Sequence, residues 1–330
     1  MFQINPIAYF NIQCVFIDKI YNGGIMYAFI INPNARSGLG IQIWRQLEAI
    51  IKEKGIPYQA YLTRYPGHAS DFAREITSTC PSPVITVLGG DGTINEVING
   101  IPRLSEITLA YIPIGSGNDF ARSMQLCSDP EAALSHILNP EKYAYINIGR
   151  LTWGNKVRRF AISSGIGFDA DVCFHNISSH LKKYLNHLKI GKFSYTAVAL
   201  KRLLALKPGT MSITLDGKDT HTFQKVYFAT AMNQRYEGGG FKFCPEADPG
   251  DDLIDIIVIA DMPKMKALLL LPTAYKGWHT HFKGVHIYSC RSASIQSVPT
   301  LPVHTDGEPI VKTSAVTFSL EPEKIRLICS

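Results

Sequence analysis

Three glycine-rich turns are the residues of this sequence that could do chemistry together. They occupy residues 32–38, 89–93 and 113–120, and each directly follows a short apolar run. Glycine lets backbone N–H groups surround phosphate oxygens, and a helix that begins at such a turn adds unpaired N–H donors. Each turn alone could be a plain loop. Their joint occurrence predicts a site for a nucleotide polyphosphate, although no P-loop motif occurs and no Rossmann G-x-G-x-x-G follows the first apolar run.

Two acidic segments supply further candidates for chemistry. Residues 306–308 are Asp-Gly-Glu, and the segment 246–253 contains Glu246, Asp248, Asp251 and Asp252. A carboxylate near a polyphosphate can accept the proton of an attacking alcohol, and closely spaced hard oxygen ligands suit Mg²⁺. Taken alone, the first segment is also typical of a hairpin turn and the second of a solvated acidic loop.

The elements that would position these turns alternate between strands and helices. Residues 94–101 have the i, i+3, i+4, i+7 spacing of a helix. Repeated strand–helix units predict a parallel sheet covered by helices, with ligands beyond the carboxyl ends of the strands. After about residue 145 the pattern changes to short strands and hairpins, with inserted helices at about 179–206 and 264–275. Apolar runs of strand length precede the three turns, at residues 27–31, 84–88 and 109–112.

The composition indicates a folded chain and excludes several classes of protein. The 330 residues suggest two domains, and 46% hydrophobic with 18% charged residues excludes disorder and low-complexity fibres. The net charge of +6 fits an anionic ligand or membrane surface and is too weak alone to indicate nucleic acid, so no nucleic-acid partner is expected. The seven widely spaced cysteines lack a C-x-x-C motif and indicate reduced thiols, and no apolar run reaches the length of a membrane span.

The first 25 residues differ in character from the rest of the chain. They lack the basic start, apolar run and small-residue cleavage site of a signal peptide. The run that opens the first domain begins at Met26. We therefore expect Met26 to be the physiological start or residues 1–25 to be a loose extension, with a genuine extra strand at 12–17 as the alternative.

The three turns together resemble the catalytic domain of the diacylglycerol kinase family. That family includes bacterial diacylglycerol and lipid kinases and, more distantly, sphingosine and ceramide kinases. The similarity continues in Gly-Ile-Gly-Phe-Asp-Ala at 165–170, in Gly-Gly-Gly-Phe-Lys at 238–242 and in Asp-Gly-Glu at 306–308. It therefore extends from about residue 26 to the C terminus.

The resemblance implies an α/β domain joined to a β domain, with ATP in the cleft between them. Residues 26–145 would form a three-layer α/β domain like those of NAD kinases and 6-phosphofructokinases. Residues 146–311 would form a β-sandwich domain that takes the lipid substrate. In the family the chain end often returns to the first domain, which would add residues 312–330 to it.

The resemblance also implies roles for individual residues. Glu308 would accept the proton of the lipid hydroxyl, Asp306 could share or hold that role, and Asp91 would lie at the metal–phosphate centre. Thr63, at the end of a strand, and Ser116 match positions that contact the nucleotide. The nucleotide-binding residues implied by the match are Asn32, Pro33, Asn34, Ala35, Arg36, Thr63, Gly89, Gly90, Asp91, Gly92, Thr93, Ile94, Asn95, Ser116 and Asn118.

A structural Mg²⁺ is implied for the acidic segment, with Asp248, Asp251 and the backbone carbonyl of Leu253 as ligands. The local order is Gly-Asp-Asp where many relatives have Asp-Asp-Gly, which leaves the register open. Asn147 is a further departure, because relatives usually carry an Asp in a Val-Asp-Ile/Leu-Gly segment here. Either Asp169 or another acid would compensate, or activity would be reduced, or the chain would not be a standard diacylglycerol kinase.

A basic and apolar segment predicts contact with a membrane. Residues 172–215 contain no Asp or Glu, seven Lys or Arg, and apolar residues at helical spacing. This pattern is typical of a surface for anionic lipid, and equally of a helix pair packed on the second domain. With the resemblance, it predicts a cytoplasmic protein held peripherally at the inner face of the membrane, and the family adds a homodimer through the β domain.

The sequence therefore predicts an ATP- and Mg²⁺-dependent kinase of diacylglycerol or a similar lipid alcohol, with a sphingoid substrate left open. Two alternatives belong to other classes. An NAD kinase shares Gly-Gly-Asp-Gly, but the third turn and the late Asp-Gly-Glu argue against it. A non-catalytic nucleotide- or lipid-binding regulator of the same fold is motivated by Asn147.

Overall fold

The computed structural model describes residues 26–176, 206 and 208–329. The expectations for residues 1–25, for the inserted helix at 179–206 and for most of the basic segment 172–215 fall outside these residues. The described residues form two hydrogen-bonded sheets.

Six strands form the first sheet: β1 (Tyr27–Ile31), β2 (Tyr58–Leu62), β3 (Val84–Gly89), β4 (Thr108–Pro113), β5 (Lys142–Ile146) and β16 (Ile325–Cys329). Their order is β2–β1–β3–β4–β16–β5, in which only β5 is antiparallel to its neighbour. Strands β1, β3 and β4 are buried along their whole length, as expected when helices cover both faces of a parallel sheet.

Helices on both faces complete a three-layer α/β domain. One face carries α3 (His68–Thr79) and α4 (Asp91–Gly100), and the other carries α2 (Gly40–Glu53) and α6 (Pro130–Leu138). Helix α2 buries Trp44, Leu47 and Ile51 at helical spacing, so one stripe of its side chains faces the sheet. Two single turns, α1 (Ala35–Gly38) and α5 (Asp119–Ser123), and a 3₁₀ turn (Leu104–Glu106) complete this domain.

Ten strands form the second sheet: β6 (Gly149–Trp153), β7 (Lys156–Phe160), β8 (Ser163–Gly167), β9 (Gly209–Leu215), β10 (Asp219–Val226), β11 (Phe228–Met232), β12 (Ile254–Ile259), β13 (Val285–Cys290), β14 (Ser292–Thr305) and β15 (Glu308–Leu320). The long strand β14 pairs with β9 through its first half and with β8 through its last residues. The sheet therefore folds into a β-sandwich, whose core includes Ile166, Ile213, Ile256 and Phe318. Helices α7 (Phe168–Asn176) and α8 (Lys264–Ala274) and a 3₁₀ turn (Trp278–His281) lie in this half.

The chain end returns to the first domain. Strand β16 lies between β4 and β5, so the last described residues complete the α/β sheet. The returning part is shorter than the expected 312–330, because β15 still belongs to the second sheet as far as Leu320.

Helix α4 of the first domain packs against β7 of the second through Arg159. The backbone N–H of Arg159 donates to Asn99 Oδ1 at 2.9 Å, and its guanidinium donates to Ile98 O at 3.0 Å and to Ile101 O. The same guanidinium lies 3.2 Å from Glu321 Oε1. This contact holds the C-terminal end of α4 against the second domain. Among the described residues, no helix is both long and apolar enough to cross a membrane.

Candidate active site

The first two glycine-rich turns meet at the carboxyl edge of the first sheet. The backbone N–H of Asn32 donates to Leu88 O at 2.9 Å, and its side-chain amide donates to Thr93 Oγ1 at 3.3 Å. Thr63 lies beside them, because its N–H donates to Ile31 O at 2.8 Å. The structure therefore brings Thr63 and both turns to one place, as expected for the ends of adjacent parallel strands.

The second and third turns are in direct backbone contact. A Cβ on Gly115 would lie 2.6 Å from Gly90 Cα, so glycine is required for this approach. Asn118, with a φ of 53°, accepts a hydrogen bond from Gly115 N at 2.8 Å and donates to Gly115 O at 3.2 Å. Its side chain therefore shapes the third turn from within.

The predicted nucleotide-binding residues differ in how open they are. Gly89 and Thr93 are buried, and the Thr93 hydroxyl oxygen already accepts a hydrogen bond from the Asn32 side-chain amide. The residues that are exposed or partly exposed at this edge are Asn32, Pro33, Asn34, Ala35, Arg36, Thr63, Gly90, Asp91, Gly92 and Ser116.

Two predicted nucleotide-binding residues of α4, directly after the second turn, have side chains that point away from this edge. Ile94 is fully buried in the core on one side of the first sheet. Asn95 is also fully buried, and it donates to Asp306 Oδ2 at 2.8 Å and accepts from Arg158 Nη2 at 2.7 Å. The expectation that these side chains line the nucleotide site is therefore corrected, because one is a core residue and the other joins the two domains.

Asp91 is the first residue of α4 and ties this helix to the start of α5. Its Oδ2 accepts from Asp119 N at 3.0 Å and its Oδ1 from Phe120 N at 3.2 Å. Burial, and then the neighbouring Asp119 carboxylate, raise the pKa of Asp91 to about 6. Asp91 is therefore a largely buried but partly exposed acid whose charge is destabilised until a cation or further donors approach it.

Asp119 is a second buried carboxylate at the same point. It forms an ion pair with Arg122 and accepts from Gly239 N, in the second domain, at 2.6 Å. A Cβ on Gly117 would lie 3.3 Å from Asp91 Oδ2 and 3.7 Å from Asp119 Oδ2. The two carboxylates thus lie side by side next to the third turn, where a phosphate-bound cation would stabilise both.

Asp306 is saturated with hydrogen bonds. Its Oδ2 accepts from Asn95 Nδ2 and Ala161 N, and its Oδ1 accepts from Ile162 N and Ser163 N, all within 2.8–2.9 Å. A carboxylate whose two oxygens each accept two N–H groups has little capacity left to take a proton from a ligand. The expectation that Asp306 could share or hold the proton-accepting role is therefore corrected to a positioning role.

Glu308 is exposed and reaches across the cleft to the first domain. Asp306 and Gly307, with φ of 47° and 81°, make the tight turn that precedes it. A Cβ on Gly92 would lie 3.6 Å from Glu308 Oε1, so the carboxylate of β15 lies at the start of α4. Of the two carboxylates in Asp-Gly-Glu, the exposed one therefore faces the glycine-rich turns.

A buried histidine supports the turn that carries Glu308. His304 Nε2 lies 3.2 Å from Asp169 Oδ2 and 3.4 Å from Glu237 Oε1, and Gly307 N–H donates to its Nδ1 at 3.2 Å. Burial raises the pKa of Glu237 to about 7. The potential metal-ligating atoms of Asp169, Glu237 and His304 lie within 4.8 Å of one another, a spacing that suits a metal ion. In this structure His304 Nε2 already lies within 3.4 Å of both carboxylates.

The acidic loop at 248–253 is shaped by its own backbone. Asp248 Oδ1 accepts from Gly250 N at 2.8 Å, and Asp251 Oδ1 accepts from Leu253 N at 2.9 Å. Two carboxylates and a backbone carbonyl are hard oxygen ligands of the kind that Mg²⁺ takes. The donor atoms of Asp248, Asp251 and Leu253 are therefore of the chemical type that the predicted structural cation requires, and the site stays a prediction.

Asn147 is bound to the same loop. Its Nδ2 donates to Asp252 Oδ1 at 2.9 Å, and its Oδ1 accepts from Asp252 N at 3.1 Å. Lys324 Nζ lies 2.9 Å from Asp252 Oδ1 and donates to Gly250 O at 2.8 Å. Asn147 and Lys324 hold the pKa of Asp252 below its ordinary value. An aspartate at 147 would face the Asp252 carboxylate, so the amide suits this loop.

The sequence analysis did not select Asp119, Arg122, Glu237 or His304 as site residues. The signal was present, because Asp119 and Glu237 each adjoin a glycine-rich motif and His304 lies two residues before Asp306. Functional sites often contain titratable residues with shifted pKa values. Titratable residues beside a turn whose backbone could bind a ligand are therefore candidates for the site.

Two family models match the chain. The diacylglycerol kinase catalytic domain matches residues 26–148, and the YegS C-terminal NAD kinase beta sandwich-like domain matches residues 166–329. The first match coincides with the α/β domain except for its returning strand, and the second covers most of the β-sandwich.

Similar proteins and structures extend over nearly the whole chain. The protein named "Putative lipid kinase YtlR" of Bacillus subtilis is 29% identical over 304 residues, which are 91% of this chain and 98% of that protein. The diacylglycerol kinase of Mycobacterium tuberculosis is 26% identical over 84% of this chain and 87% of its own. A crystal structure described as a putative diacylglycerol kinase from Bacillus anthracis str. Sterne shares the fold, with a TM-score of 0.73, 22% identity and coverage of 93% and 97%. The chain therefore carries a diacylglycerol kinase catalytic domain followed by a YegS C-terminal NAD kinase beta sandwich-like domain.

Proposed function

We propose that this protein is an ATP- and Mg²⁺-dependent lipid kinase that phosphorylates diacylglycerol or a similar lipid alcohol at the cytoplasmic face of a membrane. The observation that carries the proposal is the position of Glu308. An exposed carboxylate of the β domain lies against Gly92, at the start of the helix that follows the second glycine-rich turn. The matching diacylglycerol kinase catalytic domain and relatives named diacylglycerol kinase or lipid kinase support the same reading.

The residues divide the reaction between the two domains. The open N–H groups of the glycine-rich turns hold the phosphates, and Glu308 takes the proton of the lipid hydroxyl as its oxygen attacks the γ-phosphorus. The new P–O bond forms while the bond from the γ-phosphorus to its bridging oxygen breaks, and ADP leaves. Bound with the nucleotide, Mg²⁺ would neutralise phosphate charge, and Asp91 and Asp119, the two carboxylates beside Gly117, would hold it.

The regulator alternative rests on Asn147, and the structure supplies a local reason for that residue. The Asn147 amide pairs with Asp252, so a neutral residue here does not by itself indicate lost activity.

The test is phosphoryl transfer from labelled ATP to lipids in mixed micelles. The panel contains diacylglycerol, monoacylglycerol, ceramide, sphingosine, phosphatidylglycerol and undecaprenol, with NAD as a soluble acceptor. Label on one lipid supports the proposal and names the substrate. Label on NAD alone supports NAD kinase, and ATP binding without transfer to any acceptor supports the regulator.

A further inference from the structure

A cluster of large apolar side chains is exposed on α8 and the turn that follows it. The exposed fractions are 69% for Leu269, 63% for Trp278, 59% for Met265, 52% for Tyr275 and 41% for Phe282. We call these five residues the α8 face. Scattered exposed apolar residues are ordinary, but a group of this kind within one segment marks an interaction surface.

Helix α8 is apolar on two sides. Ala267, Leu270 and Ala274 are buried against the β-sandwich, whereas Met265 and Leu269 face away from it. A surface helix of a globular protein ordinarily carries charged or polar residues on its outer side. The outer side of α8 therefore has the composition of a surface that is covered by a partner.

The charge of the surrounding residues indicates the partner. Residues 262–283 contain no Asp or Glu and four lysines, Lys264, Lys266, Lys276 and Lys283. The Lys266 ammonium donates to Lys283 O at 2.8 Å, so a positive charge is held at the edge of this surface. Apolar and aromatic side chains within a basic rim are typical of contact with anionic lipid, which attracts the lysines and receives the apolar side chains.

The α8 face is connected to the candidate active site by a short path. Lys242 N donates to Ala274 O at 2.9 Å, and the rings of Phe241 and Tyr275 stack with centroids 4.1 Å apart. Two residues before Phe241, Gly239 N donates to Asp119 at the phosphate end of the cleft. A surface that rests on the α8 face therefore lies within a few residues of the cleft.

We propose that the α8 face docks the protein on an anionic membrane. This inference rests on the proposed function, because it is the lipid substrate that requires the protein to reach the bilayer. A second copy of the chain is a poorer occupant, because a two-fold interface through this surface would bring the lysine rims of both copies together. The docking site differs from the segment 172–215 that the sequence analysis selected.

The experiment measures sedimentation of the full chain with phosphatidylcholine vesicles that contain or lack phosphatidylglycerol. We expect wild type to bind the anionic vesicles, Leu269→Glu and Trp278→Glu each to weaken binding about tenfold, and Lys276→Gln with Lys283→Gln to do so to a similar extent. The matched control is Val157→Glu, because Val157 is 46% exposed on β7, outside the α8 face, and we expect little change. The variants alter exposed side chains, so far-ultraviolet circular dichroism and melting temperature should stay unchanged.

Three results would overturn the docking proposal. Wild type could fail to bind anionic vesicles, Val157→Glu could weaken binding as much as Leu269→Glu, or Leu269→Glu could dissociate a dimer in sedimentation velocity without changing vesicle binding. Failure of the docking proposal is distinguished from failure of the proposed function by an assay that needs no membrane. This assay is phosphorylation of a short-chain diacylglycerol below its critical micelle concentration. If wild type phosphorylates neither this lipid nor any acceptor of the panel but binds vesicles through the α8 face, the kinase proposal fails and the docking proposal holds.

Discussion

Asn147 and Asp252 form a reciprocal pair, in which the side-chain amide of Asn147 donates to the Asp252 carboxylate at 2.9 Å and accepts the Asp252 N–H at 3.1 Å. Asn147 lies between the last strand before the domain junction and the first strand of the β domain, whereas Asp252 belongs to the acidic loop. The pair therefore ties the junction to the loop expected to hold a structural cation.

Replacing Asn147 with Asp should destabilise the protein. The new carboxylate keeps the bond from Asp252 N but loses the donor and faces the carboxylate of Asp252, so the free energy of unfolding should fall. Urea unfolding measures the change. The double variant Asn147→Asp with Asp252→Asn restores one amide between the two side chains and should regain part of the loss. A stability of Asn147→Asp equal to that of wild type would contradict this account of the departure from the family.

Replacing Asp306 with Asn should destabilise the domain junction. The substitution turns one carboxylate oxygen into an NH₂ group. Depending on the orientation of the amide, this NH₂ group would face the N–H donors of Asn95 and Ala161 or those of Ile162 and Ser163. Leaving such buried donors unpaired costs about 1–3 kcal/mol each, and thermal unfolding should show a clear drop in melting temperature. Glu308→Gln is the matched control, because its exposed side chain should leave the melting temperature unchanged. Equal melting temperatures for Asp306→Asn and wild type would show that Asp306 has no positioning role.

Replacing Gly115 with Ala should weaken nucleotide binding. The added methyl group would lie 2.6 Å from Gly90 Cα, so the second and third turns must separate. Isothermal titration with ATP and Mg²⁺ should show at least about a tenfold loss of affinity, as expected for a displacement of backbone donors by a few tenths of an ångström or more. Gly217→Asn, in the surface turn between β9 and β10, is the control and should bind ATP normally. Unchanged affinity in Gly115→Ala would remove the third turn from the nucleotide site.

The raised pKa of Asp91 predicts a pH dependence of stability. Between the ordinary pKa of 3.8 and the folded value of about 6, the folded protein holds a proton that the unfolded chain has released. This contribution to stability is therefore complete at low pH and decreases as the pH rises through that window. The measurement compares the melting temperatures of Asp91→Asn and wild type, both without nucleotide. The value for the variant minus that for wild type should become more positive from pH 5 to pH 7. A difference that does not vary with pH would show that Asp91 is not a strained buried charge.

The convergence of the glycine-rich turns could be predicted because its signals are local. Apolar runs of strand length, helical spacing and turn residues each lie within a few positions, and parallel strands place their carboxyl ends at one edge. The roles of Asn95 and Asp306 could not be predicted in this way. Their hydrogen bond joins residues 211 positions apart, and only the packing of α4 on β7 brings them together.

The same limit applies to Asn147. Its departure from the family pattern is visible in the sequence, but its partner Asp252 comes from a distant loop. Lys324, which pairs with Asp252, is the residue just before the last strand. From the sequence, Asn147 was therefore interpreted as the loss of a carboxylate. The structure shows instead that the Asn147 side-chain amide makes two hydrogen bonds with Asp252. The α8 face was also missed, because its run of leucines is equally typical of a buried helix.

The most direct test of the central claim compares wild type with Glu308→Gln in phosphoryl transfer from ATP to diacylglycerol. In the proposed mechanism Glu308 takes the proton of the attacking hydroxyl and does not hold the nucleotide. The rate should therefore fall by about a hundredfold or more while ATP affinity and melting temperature stay unchanged. Transfer by Glu308→Gln at the wild-type rate would contradict the assignment of Glu308 as the proton acceptor. No transfer by wild type to any lipid of the panel would contradict the proposed function itself.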